Sequence, residues 1–144
     1  MKKIETPLDD AFIIEPQVFG DVRGWFYESY SKQKMHDIGI DVEFVQDNRS
    51  FSAQQGTLRG LHCQTSPMAQ TKLLTCLRGR IMDVAVDIRR GSPTYMQWTA
   101  VELSGENKKM FFIPKGFLHG FVTLTPAVDV SYNVDEYYAP AIDG

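Results

Sequence analysis

The chain's 144 residues fit one domain with its own core and leave no room for a second. Hydrophobic residues make up 43% and charged residues 23%, ordinary shares for a chain that folds in water, which argues against a disordered or membrane-dissolved class. Fifteen Lys and Arg against eighteen Asp and Glu leave a net charge of −3, so nucleic acid is a poor bulk partner and any bound anion must be held by a few placed cations.

In chain order, short β-branched and aromatic runs predict strands at Ala11–Ile14, Trp25–Tyr30 and Val42–Gln46. More follow at Lys72–Leu77, Arg80–Arg89, Gln97–Leu103, Met110–Ile113, Gly120–Leu124 and Val128–Val134. Turn-rich groups such as Arg90-Gly91-Ser92-Pro93 and Ser104-Gly105-Glu106-Asn107 separate them, the pattern of an all-β sandwich or barrel. At most one short helix is expected, Ser31 to Ile38, opened by a serine cap and stopped by Gly39. No repeat, linker or composition shift marks a boundary, so residues 1–144 read as a single domain. The segment after Met1-Lys2-Lys3 is broken by Thr6, Asp9 and Asp10, and no stretch reaches membrane-spanning length, so a cytoplasmic setting is expected. Cys63 and Cys76 have neither a disulfide framework nor metal spacing and read as free thiols.

Between Ile81 and Ile88, Met82, Val84, Val86 and Ile88 share one strand face, and Asp83, Ala85 and Asp87 share the other. The acidic face is either a solvated exterior or a polar barrel interior, and periodicity does not choose. Arg59 and His62 lie three apart around Gly60, so a regular strand would point them to opposite faces. For the two to share a site, the backbone must bulge, which Gly60 could supply. Taken alone, His62 reads as a hydrogen-bonded structural histidine, and Tyr132, in step with Val128, Val130 and Val134, as a core aromatic. Arg23, Arg59 and Lys72 each read singly as surface charges, although converging in one cavity they would suit a diphosphate. No glycine-rich phosphate loop is present.

Ile113-Pro114-Lys115-Gly116-Phe117-Leu118-His119-Gly120-Phe121 resembles the second motif of cupins. The first cupin motif usually offers two histidines one residue apart and a later glutamate. Here Gln64 follows His62 at that spacing and Lys72 stands downstream, so no metal is expected.

Together, Pro16–Ser29 (PQVFGDVRGWFYES), Phe44–Ser50 (FVQDNRS), Leu58–His62 (LRGLH), Gln70–Leu73 (QTKL), Asp83–Arg89 (DVAVDIR), Ser92–Thr94 (SPT), Ile113–Phe121 (IPKGFLHGF) and Tyr137–Pro140 (YYAP) resemble the dTDP-4-dehydrorhamnose 3,5-epimerase family. The resemblance implies a double-stranded β-helix, the cupin-type jelly roll, and a homodimer. It implies an isomerase that inverts C3 and/or C5 of a nucleotide-linked 4-keto-6-deoxyglucose, with no metal or other cofactor. His62 would be the base and Tyr132 the acid. Arg23, Glu28, Gln46, Asp47, Asn48, Arg59, Lys72, His119 and Asp143 would hold the sugar nucleotide, some reaching the partner's site, with Lys72 beside the C4 carbonyl oxygen. These implied roles displace the bland readings of His62 and Tyr132.

Three departures stand out. Family members continue beyond this point, with an acid in that tail paired to the catalytic histidine; here the expectation is that Asp83 or another acid orients His62, or that the chain is a truncated form. Cys63 stands where an aromatic is common, and Asn133 where lysine is common. The readings that compete are a non-catalytic sugar-nucleotide-binding domain and a metal-dependent cupin enzyme.

Overall fold

The structure is a computed structural model that describes residues 1–63 and 69–137. The strands are β1 (Lys2–Glu5), β2 (Phe12–Glu15), β3 (Phe19–Asp21), β4 (Gly24–Phe26), β5 (Gln46–Ser52), β6 (Leu58–His62), β7 (Lys72–Arg78), β8 (Arg80–Asp87), β9 (Trp98–Ser104), β10 (Met110–Ile113), β11 (Phe117–Thr123) and β12 (Val128–Val134), with helix α1 (Lys32–Asp37). A six-stranded sheet runs β1-β2-β10-β7-β12-β5 and a four-stranded sheet runs β6-β11-β8-β9, while β3 and β4 form a separate hairpin. Strands β5 to β12 thus divide four to each sheet, which is the jelly roll the sequence implied.

Two apolar layers hold the sheets. Leu74, Cys76, Phe111, Ile113, Val128 and Val130 of the large sheet meet Ile81, Ala85, Val101, Leu103, Phe117 and Phe121 of the small one. On its other face the large sheet buries Ile14, Leu73, Met110 and Phe112 against Met35 and Ile40, with Tyr30, Val42 and Phe44 alongside. The Ser31 side chain caps α1 by accepting from the Lys34 backbone N–H, and Gly39 at φ 88° takes the chain out of it.

Two expected strands move. Trp25–Tyr30 becomes the second half of the β3–β4 hairpin, ending at Phe26. Val42–Gln46 forms no strand, because Val42 and Phe44 pack on the helix side of the large sheet while the ladder begins at Gln46. The inward row of β5 is Gln46, Asn48, Ser50 and Ser52, so no apolar alternation announces it.

On β8, Ile81, Asp83, Ala85 and Asp87 are buried, whereas Met82, Val84 and Val86 are only half-buried. The acidic face is therefore the interior. Asp87 closes one end of it: its carboxylate accepts from Arg89 Nε and Nη2 at 3.0 Å, and from Ser92 Oγ and Thr94 Oγ1 at 2.6 Å. Arg89 also reaches Asp10. Burial alone would raise the Asp87 pKa, but these donors together outweigh it and hold the carboxyl far below the usual carboxylate range.

At the edge of the small sheet, β6 pairs with β11 as His62 with His119 and Arg59 with Phe121, with a register shift between. Three steps on β6 match two on β11, so β6 carries the bulge, and Arg59 and His62 fall on one face. Gly60 sits there at φ 98°; an added Cβ would lie 2.5 Å from the His119 carbonyl oxygen and 2.8 Å from Gly120 Cα.

Gly60→Ala should destabilise the fold by about 1–3 kcal/mol and reduce activity in the molecules that remain folded, measured by urea unfolding and turnover. Native stability and rate in that variant would mean the bulge does not place the site. Asp87→Asn should cost about 3 kcal/mol at pH 7, since it leaves half-buried Arg89 and the Ser92 and Thr94 hydroxyls facing a buried amide. Asp87 has a depressed folded pKa, so its contribution is complete above the ordinary 3.8 and declines as pH falls below that toward the folded value. The stability gap between wild type and variant should therefore narrow at pH 3. An equal gap at both pH values would rule out a charge contribution.

Candidate active site

A cavity of about 120 Å³ opens between the sheets, lined by Ser50, Arg59, His62, Lys72, His119, Phe121 and Tyr132. Five of these, Arg59, His62, Lys72, His119 and Tyr132, are residues singled out in the sequence, and they come from both sheets. The small sheet contributes Arg59 and His62 from β6 and His119 from β11; the large sheet contributes Lys72 from β7 and Tyr132 from β12. Lys72 and His119 are each only 6% exposed, so their polar ends are sheltered from bulk water. A larger hollow of about 590 Å³ lies on the open surface beside α1, but only the small one gathers cations, imidazoles and a phenol.

The cavity wall fixes its own cations. Arg59 Nε donates to Ser52 Oγ and its Nη2 to the Phe51 carbonyl, each at 2.9 Å, which ties the guanidinium to β5. Asp83, fully buried on β8, is hydrogen-bonded through Oδ1 to His119 Nε2 at 2.5 Å. This corrects the expectation that Asp83 orients His62: the pairing goes to the other histidine. Its second oxygen, Oδ2, is buried without a hydrogen-bond partner.

Other expected residues lie apart from the cavity. Gln46 and Asn48 sit on the same face of β5 as Ser50, with Gln46 Nε2 donating to Asn48 Oδ1 at 2.9 Å. Asp47 falls on the opposite face, where it accepts from Asn133 Nδ2. Arg23 stands on the exposed β3–β4 hairpin, paired to Asp21 at 2.6 Å, and Glu28 pairs with Lys34 at 2.8 Å. Asp143 lies outside the described residues. Sequence reasoning missed Ser50 and Phe121 as lining. The signal for each was a two-residue step along a strand, from Asn48 and from His119. Among the described residues, no group of three or more His, Cys, Asp or Glu is placed to hold a metal ion. No helix of the described residues is long and apolar enough to cross a membrane.

A family profile described as dTDP-4-dehydrorhamnose 3,5-epimerase matches residues 5–144. The chain is 51% identical over 142 residues to the dTDP-4-dehydrorhamnose 3,5-epimerase of Salmonella typhimurium, covering 98% of this chain and 77% of that protein. It is 49% identical over 140 residues to the enzyme of the same name from Methanothermobacter thermautotrophicus, covering 97% and 75%. The solved Bacillus anthracis dTDP-4-dehydrorhamnose 3,5-epimerase, with TDP and PPi bound, superposes with a TM-score of 0.97 at 51% identity, over 99% of this chain and 82% of that one. The Legionella pneumophila dTDP-6-deoxy-D-glucose-3,5-epimerase, in complex with dTDP-4-keto-L-rhamnose, gives 0.94 at 51% identity, over 99% and 75%. The profile match over residues 5–144, about half of the residues identical to these enzymes and a shared jelly roll show that the chain belongs to the dTDP-4-dehydrorhamnose 3,5-epimerase family and is a carbohydrate epimerase.

Proposed function

We propose that this epimerase converts dTDP-4-dehydro-6-deoxyglucose to dTDP-4-dehydrorhamnose by metal-free proton transfer, with His62 as base and Tyr132 as acid. The observation that carries the reading is that these two side chains reach one cavity from facing sheets, with Lys72 lining it too. Inversion needs a proton removed from one face of a carbon and returned to the other. The C4 ketone acidifies the hydrogens on C3 and C5. Neutral His62 takes one as a proton, and the electrons of the broken C–H bond move into the carbonyl to give an enolate. The Lys72 ammonium offsets the charge on that oxygen. Tyr132 then donates its hydroxyl proton to the opposite face, and the ketone re-forms. Imidazolium and phenolate return to their starting states by exchange with solvent. Arg59, tied to β5, is the cation for the diphosphate.

The working unit we propose is a homodimer. Phe19, Trp25 and Phe26 of the β3–β4 hairpin are 57%, 60% and 66% exposed, an aromatic arm around Arg23 that a single chain leaves uncovered. In the dimer the arm carries Arg23 to the partner's sugar nucleotide. The cytoplasmic setting expected from the sequence fits Cys63 and Cys76, both free thiols.

In deuterated buffer, wild type should place deuterium at C3, C5 or both and invert those centres. His62→Asn should abolish exchange while binding nucleotide within a few-fold. Tyr132→Phe should still exchange but lose net inversion by roughly 10²–10⁴-fold, because the base and Lys72 remain while the donor to the opposite face is gone. Inversion at the native rate in Tyr132→Phe would remove the phenol from the acid role. Mixing Arg23→Ala and His62→Asn chains tests the shared site. Each mixed dimer regains one complete site, so random pairing should restore about a quarter of wild-type activity. Activity no higher than the sum of the two separate variants would place Arg23 outside the partner's site.

A further inference from the structure

The Asp83 carboxyl is the one buried acid of the small sheet's inner face that the clasp around Asp87 leaves to the cavity end. It is fully buried, its Oδ1 lies 2.5 Å from His119 Nε2, and its Oδ2 has no hydrogen-bond partner. A carboxylate is costly to bury with half its lone pairs unmet unless positive charge nearby compensates it. Two fixed cations face this cavity, Arg59 from β6 and Lys72 from β7, together with His62 from β6, His119 from β11 and Tyr132 from β12. The register explains why the acid meets His119. Asp83 pairs across the ladder with Phe121 and Ala85 pairs with His119, so Asp83 sits one diagonal step from the imidazole on the same face.

We propose that Asp83 is a positioning residue of the epimerisation: by holding His119 through Nε2 it fixes the ring and leaves Nδ1 as the nitrogen turned to the sugar beside Lys72. This rests on the proton-transfer reading given above. The arrangement follows a general logic in which a buried acid fixes the orientation of an imidazole. The small cavity strengthens it, since opposite charges act on one another more strongly where water is excluded. Asp83 itself touches no reacting atom, so its influence passes through the ring it holds.

The test is a double-mutant cycle on the full chain. Asp83→Asn keeps the side chain's shape and an acceptor for Nε2–H but removes the charge. It should lower kcat on the order of 10-fold or more, with KM for the sugar nucleotide and affinity for dTDP alone within about threefold. In a His119→Asn background the same substitution should produce no further fall in kcat. A purely structural acid predicts the reverse, an equal loss in both backgrounds, and that additivity would overturn the proposal, as would a change confined to KM. Nitrogen NMR of wild type with labelled histidine provides a measurement that needs no variant. Nε2 of His119 should carry the proton that it shares with Asp83, and a ring protonated on Nδ1 alone would overturn the proposal. Should wild type itself fail to exchange deuterium at C3 or C5, the proton-transfer reading falls first. Native turnover in Asp83→Asn beside an active wild type sinks only the role of Asp83.

Discussion

The close approach of two backbones, β6 to β11 at Gly60 and Gly120, is the constraint on which the site depends. A Cβ on Gly120 would stand 2.6 Å from the Arg59 carbonyl oxygen, as one on Gly60 would stand 2.5 Å from that of His119. Only glycine at both positions lets the strands meet with one extra residue between Arg59 and His62. Without the bulge, strand alternation would send one of the pair to the solvent face. The base and the phosphate-binding cation we assign thus share a wall because two side chains are missing.

A second constraint is the polar interior. Most sandwiches fill the space between sheets with apolar side chains alternating with solvated ones. Here the space is divided. Ile81, Leu103, Val128 and Val130 pack in the ordinary way, while Asp83, Lys72 and His119 are buried at 0%, 6% and 6% exposure. Burial of ions is tolerable where opposite charges or hydrogen-bond partners compensate them. Asp87 shows the structural form of that solution, closed by Arg89, Ser92 and Thr94. Asp83 shows the open form, with one oxygen left unmet beside the cavity.

These constraints explain what was legible in the sequence. Strands with apolar rows, such as Met110–Ile113 and Val128–Val134, appear where they were expected, and the Ser31-capped helix does too. The demand for a bulge at Gly60 followed from the three-residue spacing of Arg59 and His62 and is met. The ladder at Gln46–Ser52 was not legible, because its inward row serves a polar cavity and carries no hydrophobic period. The orientation of β8 was not legible either. An Asp-Ala-Asp face looks like a surface until the partners of Asp83 and Asp87, 36 and seven residues away at His119 and Thr94, are known. That Asp83 serves His119 and not His62 depends on a cross-strand diagonal, which only the register supplies.

The two walls of the cavity differ in how they are supported. Lys72 and Tyr132 sit on β7 and β12, interior strands of the six-stranded sheet, with ladders on both sides. Beneath β7 the helix-side layer adds further packing through Leu73. Arg59 and His62 ride on β6, an edge strand with a single neighbour, whose Leu58 and Leu61 are 70% and 50% exposed. Local opening is drawn from such weakly packed edges, while doubly paired strands open only with the whole domain. The phenol and the lysine therefore stand on the doubly paired wall and the imidazole on a singly paired edge, which Arg59 moors across the cavity to Ser52 and Phe51 of β5.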